Sequence, residues 1–231
     1  MKLFLELSTG KICIDDIKRT KRKTIGISIN HDFVIKVRAP YWVRNADIEN
    51  FIVSNKLWIE KKLLELSQKP KPKEKKFVSG ETFLFLGKEI KLCLSAGNEF
   101  ILTDDNELLL PVLLGNNVRD LLIFWYKKQA EKIITERCIF ISQKYNFKVN
   151  KIKINNAKTR WGSCSKKGNL NFTWRLVMAP LEVIDYVIIH ELVHLIHHNH
   201  SKTYWFTVAQ YMPKYKAYEN WLKKNSNLVN I

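Results

Sequence analysis

The chain has 231 residues and a formal net charge of +17, and 46% of its residues are hydrophobic. This length suits one large domain or two small ones, and the apolar content excludes a chain that stays disordered. No apolar run is long enough to span a membrane, and the first residues, which include Glu6, do not resemble a secretory leader.

The first half of the chain predicts short strands and one helix. Alternating runs at residues 24–29 and 33–37, separated by the polar residues 30–32, predict a hairpin. A helix follows at about residues 46–66, with Asn45 as its N-cap, and then a lysine- and proline-rich linker at residues 69–76. A second strand-rich stretch covers about residues 82–110. We therefore predict an N-terminal β-rich domain over residues 1–115.

The second half predicts helices around a small sheet. Residues 117–145 lack glycine and proline and repeat apolar residues at helical spacing, which predicts a long helix. A strand at residues 151–155 and a hairpin formed by residues 159–165 and 169–175 come next. A helix over residues 181–196 and two short helices separated near Pro213 complete the chain. This order predicts an α+β fold in which residues 116–231 form a second domain with a small antiparallel sheet.

The helix at residues 181–196 carries the most informative motif. Five of the six histidines lie within residues 190–200, and His190, Glu191 and His194 spell H-E-x-x-H. Residues four apart lie on the same face of a helix, so both imidazoles can be directed at one metal ion. Glu191 lies beside that point, where its carboxylate can activate a metal-bound water. The motif therefore predicts a metal-dependent hydrolase.

His200 is the first candidate for a third ligand. It follows His190 by the spacing of H-E-x-x-H-x-x-G-x-x-H, a pattern in which a glycine turns the chain back toward the metal. His197 occupies the glycine position here, so we assign the turn to Asn199, since asparagine tolerates the left-handed conformation. Ser201 then suits the N-cap of the following helix.

Other residues remain candidates for the third ligand. His197 and His198 lie three and four residues beyond His194, although binding through them leaves His190 and Glu191 without a role. Glu219, on the last helix, is a distant alternative. Histidines near a helix end can also do no more than interact with the helix dipole. The apolar surroundings of this motif argue against that interpretation, because unsatisfied buried imidazoles cost free energy.

The strand that precedes the H-E-x-x-H helix is a candidate for pairing with a peptide substrate. A strand beside a metal cleft can pair with an extended peptide, and a glycine allows the two backbones to approach closely. The substrate-binding residues predicted on this basis are Arg160, Trp161, Gly162 and Ser163. An ordinary hairpin is the alternative, with Trp161 in the core and Arg160 paired with a carboxylate such as Asp185.

Cysteine usage and charge bear on location and partners. Cys13, Cys93, Cys138 and Cys164 are widely spaced with no C-x-x-C pair, which predicts free thiols in a cytoplasmic protein. The net charge of +17 favours association with nucleic acid through phosphate groups. Lysine supplies most of that charge, as an A/T-rich coding sequence also would, so the charge alone does not identify a partner.

The combination of residues 160–165, whose sequence is R-W-G-S-C-S, with the H-E-x-x-H helix is highly specific. On these residues the chain resembles the YgjP-like predicted zinc metallopeptidases, which are relatives of the SprT-like and WLM-type zincins. The resemblance runs nearly end to end and includes residues 22–25, 39–40, 85–87, 174–176, 179–180, 185–187 and 199–201, together with Trp205, Pro213, Trp221 and Leu222. One departure is Thr173, where the family commonly has asparagine.

The resemblance implies a zincin-like metallopeptidase domain. It implies one Zn²⁺ per chain, held by His190, His194 and His200, with Glu191 as the catalytic base, and a peptide or protein as substrate. Tyr204, Tyr186 and Arg160 are candidates for a second electrophile. The alternatives are a metal-dependent hydrolase of a non-peptide substrate and a DNA-associated protease that acts on DNA-bound proteins. A purely structural zinc would leave Glu191 without a function.

Overall fold

The structure is a computed structural model that describes residues 3–8, 10–14, 16–30, 32–68, 75–112 and 117–226. The chain divides into two compact units, Met1–Lys73 and Glu74–Ile231. Most of the predicted linker, residues 69–74, lies outside the described residues. The predicted boundary between residues 115 and 116 falls within the second unit. That domain division stays a prediction.

The first unit contains a hairpin and a three-stranded sheet. Strands β1 (Leu3–Leu7) and β2 (Gly10–Ile14) pair antiparallel. Strands β3 (Asp16–Thr20), β4 (Gly26–Ile29) and β5 (Ile35–Pro40) form a sheet in the order β3-β5-β4. The antiparallel pair β4–β5 confirms the predicted hairpin. His31, which belongs to the turn between these strands, lies outside the described residues. Alternate residues of β5 are buried, as expected of a central strand with one face on a core.

The helix predicted at residues 46–66 is two helices, so that prediction was wrong. Helix α1 (Asn45–Ser54) and helix α2 (Lys56–Ser67) are separated by Asn55, which has φ −100° and ψ 12°. The Asn55 side-chain amide donates to the Phe51 carbonyl at 2.7 Å, and such bonds compete with the regular helical ladder. The predicted N-cap was also wrong, because Arg44 takes that position and the Asn45 side chain accepts a hydrogen bond from Arg19.

The second unit begins with a four-stranded sheet. Its strands are β6 (Thr82–Phe85), β7 (Lys88–Ser95), β8 (Ile101–Leu102) and β9 (Glu107–Pro111), in the order β6-β7-β9-β8. The turn between β6 and β7 has positive φ at both Leu86 (49°) and Gly87 (78°). The N–H groups of these two residues donate to the carbonyls of Val177 and Met178 at 2.9 and 3.1 Å. A Cβ on Gly87 would lie 2.6 Å from Pro180 Cγ, so this turn packs tightly against the segment that enters the next helix.

The long helix was predicted correctly. Helix α3 (Val118–Lys144) is capped by Asn117, whose side chain accepts from the Arg119 N–H at 3.0 Å. The side of the helix that faces the core buries Leu122, Trp125, Tyr126, Ala130, Ile134, Cys138 and Ile141. This face joins the four-stranded sheet and the later elements in one continuous hydrophobic core.

The small sheet of the second unit is mixed and not wholly antiparallel. Strands β10 (Lys151–Asn155), β11 (Gly162–Cys164) and β12 (Asn169–Thr173) lie in the order β10-β12-β11. The hairpin β11–β12 confirms the prediction, but β10 pairs parallel to β12. The crossover that makes this possible is held by Asn156, whose side-chain oxygen accepts from Trp174 Nε1 at 2.8 Å and Arg175 Nη1 at 2.7 Å. Strand β11 is therefore an edge strand, and its outer side pairs with no strand among the described residues.

The helix that carries the H-E-x-x-H motif ends earlier than predicted. After a buried 3₁₀ segment, Trp174–Met178, helix α4 spans Leu181–Val193 and not residues 181–196. Its last turn tightens, with the N–H groups of Leu195 and Ile196 donating three residues back at 2.9 and 3.0 Å. Asn199 does not have a positive φ, so the predicted left-handed turn at that residue was wrong.

Two further helices complete the second unit, and one ion pair joins α3 to α4. Helices α5 (Lys202–Tyr211) and α6 (Tyr215–Lys224) lie on either side of Pro213, as predicted. Ser201 caps α5 by accepting from the Tyr204 N–H at 3.3 Å. Arg137 on α3 binds the carboxylate of Asp185 on α4 with two hydrogen bonds, of 2.8 and 2.6 Å. None of the helices in the described ranges combines the length and apolar character that a membrane crossing requires.

Candidate metal centre

Three histidine side chains converge on one point. His190 and His194 lie one turn apart at the end of α4, and His200 approaches from the corner between α4 and α5. The ligand nitrogens of the three lie within 4.8 Å of one another, and His190 Nε2 is 3.1 Å from His200 Nε2. This arrangement is the one cluster of potential metal ligands found within the described part of the chain.

The alternative ligands are engaged elsewhere. His197 Nε2 is 3.1 Å from Thr207 Oγ1, and His198 Nδ1 donates to the His194 carbonyl at 3.1 Å. Glu219 pairs with Lys223 at 2.7 Å. The structure thus brings together the three histidines that the sequence favoured and leaves the other candidates outside the cluster. Metal binding by the three stays a prediction.

Hydrogen bonding and burial prepare the imidazoles to act as ligands. His194 Nδ1 donates to the His197 carbonyl at 3.0 Å, and because a carbonyl only accepts, Nε2 of His194 keeps its lone pair free. Burial, together with the neighbouring His194 and His200, lowers the pKa of His190 to about 3. Burial also lowers the pKa of His194. Metal ligation requires neutral imidazoles, and these surroundings favour them.

Aromatic side chains from α5 hold the cluster in place. Tyr204 is fully buried, and its hydroxyl donates to the His190 backbone carbonyl at 2.9 Å. Its ring centroid lies 4.7 Å from those of both His194 and His200. Trp205 stacks on His200 at 5.6 Å. Tyr204 therefore positions the histidine rings and does not present a free hydroxyl to a substrate. The sequence did not reveal these contacts, because they join residues on separate elements.

The Glu191 side chain packs against the edge strand β11. The residue is 5% exposed, lines both cavities beside the histidines, and lies close enough to β11 that a Cβ on Gly162 would be 2.6 Å from its Oε1. Burial raises the pKa of Glu191 to about 8, against the opposing effect of the Arg160 guanidinium. A carboxyl with a pKa near neutrality can both accept and return a proton. Strand β11 thus runs next to the candidate metal site, as the sequence predicted.

The hairpin alternative for this strand is only partly correct. Trp161 is half-buried and packs against the core, as an ordinary hairpin residue would. Arg160 does not pair with Asp185, whose carboxylate is bound by Arg137. Arg160 is instead exposed and lines the space above Glu191. Substrate binding by residues 160–163 stays a prediction.

We expect Gly162→Ala to destabilise the protein by about 1–3 kcal/mol, because β11 and Glu191 must move apart to admit the added Cβ. Urea denaturation measures this change. Gly97→Ala is the matched control, since its added Cβ would meet only the Ser95 Oγ, at 3.2 Å, a side-chain atom that has to give way by only a few tenths of an ångström. Equal effects of the two substitutions on the free energy of unfolding would show that the contact between β11 and Glu191 is not tight.

Two cavities open on either side of the histidine cluster, and both are bordered by Arg160 and Gly162. The apolar cavity has a volume of about 570 Å³, and its apolar walls are Trp161, Tyr186, Val187, Trp205 and Leu222. The polar cavity has a volume of about 420 Å³, and it is also lined by Ser163, Cys164, Lys166 and His198. Together they form a cleft that passes the three histidines and Glu191.

Comparison with protein-family models identifies the family of this chain. A family model described as YgjP-like, metallopeptidase domain, matches residues 23–225. The match covers most of the chain and includes β11, all of α4 and the three converging histidines. It confirms the resemblance that the sequence motifs indicated. The search of curated proteins finds no match.

Proposed function

Because the chain belongs to the YgjP-like family of metallopeptidases, we propose that it is a zinc-dependent peptidase whose one metal ion is held by His190, His194 and His200. The observation that carries the proposal is the convergence of three imidazole nitrogens beside a buried carboxylate, Glu191. Three neutral imidazoles with one position left for water form the donor set of many catalytic zinc sites.

The chemistry of the donor set fits a cation. His190 Nε2 and His200 Nε2 face each other at 3.1 Å, a separation at which two lone pairs repel unless a proton or a cation lies between them. The third nitrogen, on His194, is held in the correct tautomer by the His197 carbonyl. Imidazole ligands suit several divalent metals, and zinc is proposed because the family resemblance implies it.

Glu191 carries the proton transfers in the proposed reaction. Bound zinc supplies Lewis acidity, which makes water a nucleophile at neutral pH and polarises a carbonyl group. The Glu191 carboxylate accepts a proton from the attacking water and then donates a proton to the leaving amine. Arg160 and Tyr186 border the apolar cavity and are the remaining candidates for stabilising the oxyanion. Tyr204 is not, since its hydroxyl is bonded to the His190 carbonyl.

The substrate binds, in this proposal, as an additional strand beside β11. The outer side of β11 has no strand partner among the described residues, and the missing side chain of Gly162 lets this strand lie directly against Glu191, so a peptide paired with β11 would pass close to that carboxyl. Residues 160–163 then contact the peptide next to Glu191. This placement favours a peptide over smaller esters, because an extended backbone can use both cavities and the strand edge at once.

The proposed function is tested with a substrate panel and metal exchange. We expect unstructured protein and peptide substrates to be cleaved, a chelator to abolish cleavage, and added Zn²⁺ to restore it. Ester and phosphoester substrates of similar size serve as the comparison. Cleavage that continues after complete removal of metal would contradict the proposal, and hydrolysis confined to esters or phosphoesters would assign the site to a different hydrolase class.

Two broader predictions remain predictions within this proposal. Association with nucleic acid, including action on DNA-bound proteins, depends on the net charge of +17 and on the resemblance to SprT-like zincins. A cytoplasmic location is supported by Cys13, Cys93, Cys138 and Cys164, all of which are free thiols.

A further inference from the structure

The two cavities beside the histidine cluster differ in chemistry. The walls of the apolar cavity come from two tryptophans, a tyrosine, a valine and a leucine. The polar cavity is bordered by two exposed cations, Lys166, which lines this cavity alone, and Arg160, which borders both cavities. Within the described residues neither cation forms an ion pair. A substrate that crosses the cluster therefore meets an apolar pocket on one side and unpaired positive charge on the other.

The direction of strand β11 determines which end of a paired peptide lies in which cavity. The strand begins at Gly162, next to Trp161 in the apolar cavity, and ends at Cys164 in the polar cavity. Antiparallel pairing is slightly more stable per residue than parallel pairing. A peptide that pairs antiparallel with β11 therefore has its N-terminal part in the polar cavity and its C-terminal part in the apolar cavity. The residues before the scissile bond then lie near Lys166, and the residue after it lies in the apolar cavity.

From this geometry, and resting on the proposed peptidase function, we propose a substrate class. The preferred substrate is an extended peptide with acidic side chains on the N-terminal side of the scissile bond and a large apolar residue directly after it. Lys166 recognises the acidic residues, while Trp161, Val187 and Leu222 enclose the apolar side chain.

The charged groups at the rim of the apolar cavity do not alter its preference. Glu219 and Lys223 border this cavity, but they pair with each other at 2.7 Å and so contribute no net charge, while Arg160 borders the polar cavity as well. The aromatic walls favour an aromatic or large aliphatic side chain, because ring contacts add to the stabilisation from apolar burial. A cationic side chain would lose hydration there and would also meet the positive charge of Arg160, which borders the same cavity.

Four peptides of equal length test the substrate class, with the cleaved bond identified by mass spectrometry. The reference has two glutamates before the cleaved bond and phenylalanine after it. We expect replacing phenylalanine with alanine to lower kcat/KM about tenfold or more, since a pocket discriminates strongly on missing apolar volume. Replacing both glutamates with lysine should lower it several-fold, and less at high salt, because exposed charges interact weakly. The fourth peptide has phenylalanine before the bond and two glutamates after it, and we expect it to be cleaved poorly.

Two charge variants identify the cationic subsite. Lys166→Glu should remove or invert the preference for glutamate over lysine before the bond. Lys167→Glu is the matched control, since Lys167 is exposed on the same turn but does not line the polar cavity, and it should leave the preference unchanged. Both variants alter net charge equally, so any general charge effect cancels between them.

The outcomes separate the inference from the function it rests on. If the wild-type protein cleaves none of the peptides in the presence of Zn²⁺, the proposed peptidase function fails. If it cleaves them with no preference, or prefers the reversed order, peptidase function stands and the substrate class is overturned. The substrate class is likewise overturned if Lys166→Glu and Lys167→Glu change the preference equally.

Discussion

Replacing Glu191 with glutamine is expected to lower peptide hydrolysis by about 100- to 10,000-fold, the usual contribution of a general acid–base group. Glutamine has nearly the same shape, so it fits the narrow space between α4 and Gly162, but its amide cannot accept the proton from water. The three histidines are untouched, so metal content per chain should stay as in the wild type. Steady-state kinetics and elemental analysis of the same preparation measure both effects.

Glu182→Gln is the matched control for that variant. Glu182 lies in the first turn of α4 and is exposed, so its replacement makes the same exchange of carboxyl for amide on the same helix without touching the site. We expect its kcat/KM to equal that of the wild type. Full activity in Glu191→Gln would refute the role of Glu191 as the base. Loss of metal in that variant would leave the kinetic result attributable to the metal site and not to proton transfer.

His200→Ala is expected to remove bound metal, because it deletes one of three ligands from the cluster. His200 is exposed and lies between two helices, so the substitution leaves no large cavity in the core and the chain should still fold. A metal present at 100 times its dissociation constant stabilises a protein by about 2.7 kcal/mol. Added Zn²⁺ should therefore raise the Tm of the wild type and have little effect on the variant.

His198→Ala serves as the comparison for His200→Ala. His198 belongs to the same histidine run, but its ring donates to the His194 carbonyl and lies outside the cluster. We expect this variant to keep its metal and its Zn²⁺-dependent rise in Tm. If His200→Ala also keeps its metal, the third ligand lies elsewhere, and the corresponding substitutions of His197 and Glu219 would identify it.

Elements governed by local signals could be predicted from the sequence. Helix α3 begins after Asn117 and α5 after Ser201, where capping side chains satisfy the first free N–H groups. Strand β10 was predicted with its observed bounds, Lys151–Asn155. The two histidines on α4 followed from helical spacing alone. In each case, neighbouring residues contain enough information to determine the conformation.

Features that depend on distant contacts could not be predicted in the same way. The parallel pairing of β10 with β12 requires a crossover fixed by Asn156, Trp174 and Arg175. The position of His200 depends on a tightened helix end and on its stacking with Trp205, whereas the sequence suggested a left-handed Asn199. The break at Asn55 is local, but asparagine is also tolerated within helices, so the pattern did not distinguish the two.

The open side of β11 also bears on aggregation. Unpaired strand edges are the places where separate copies of a protein associate into larger sheets. Strand β11 is only three residues long. A second copy that paired with it would gain few backbone hydrogen bonds, while its side chains would also have to fit the two cavities. The short length of this edge therefore leaves it open to an extended ligand while making it a poor template for intermolecular sheet growth.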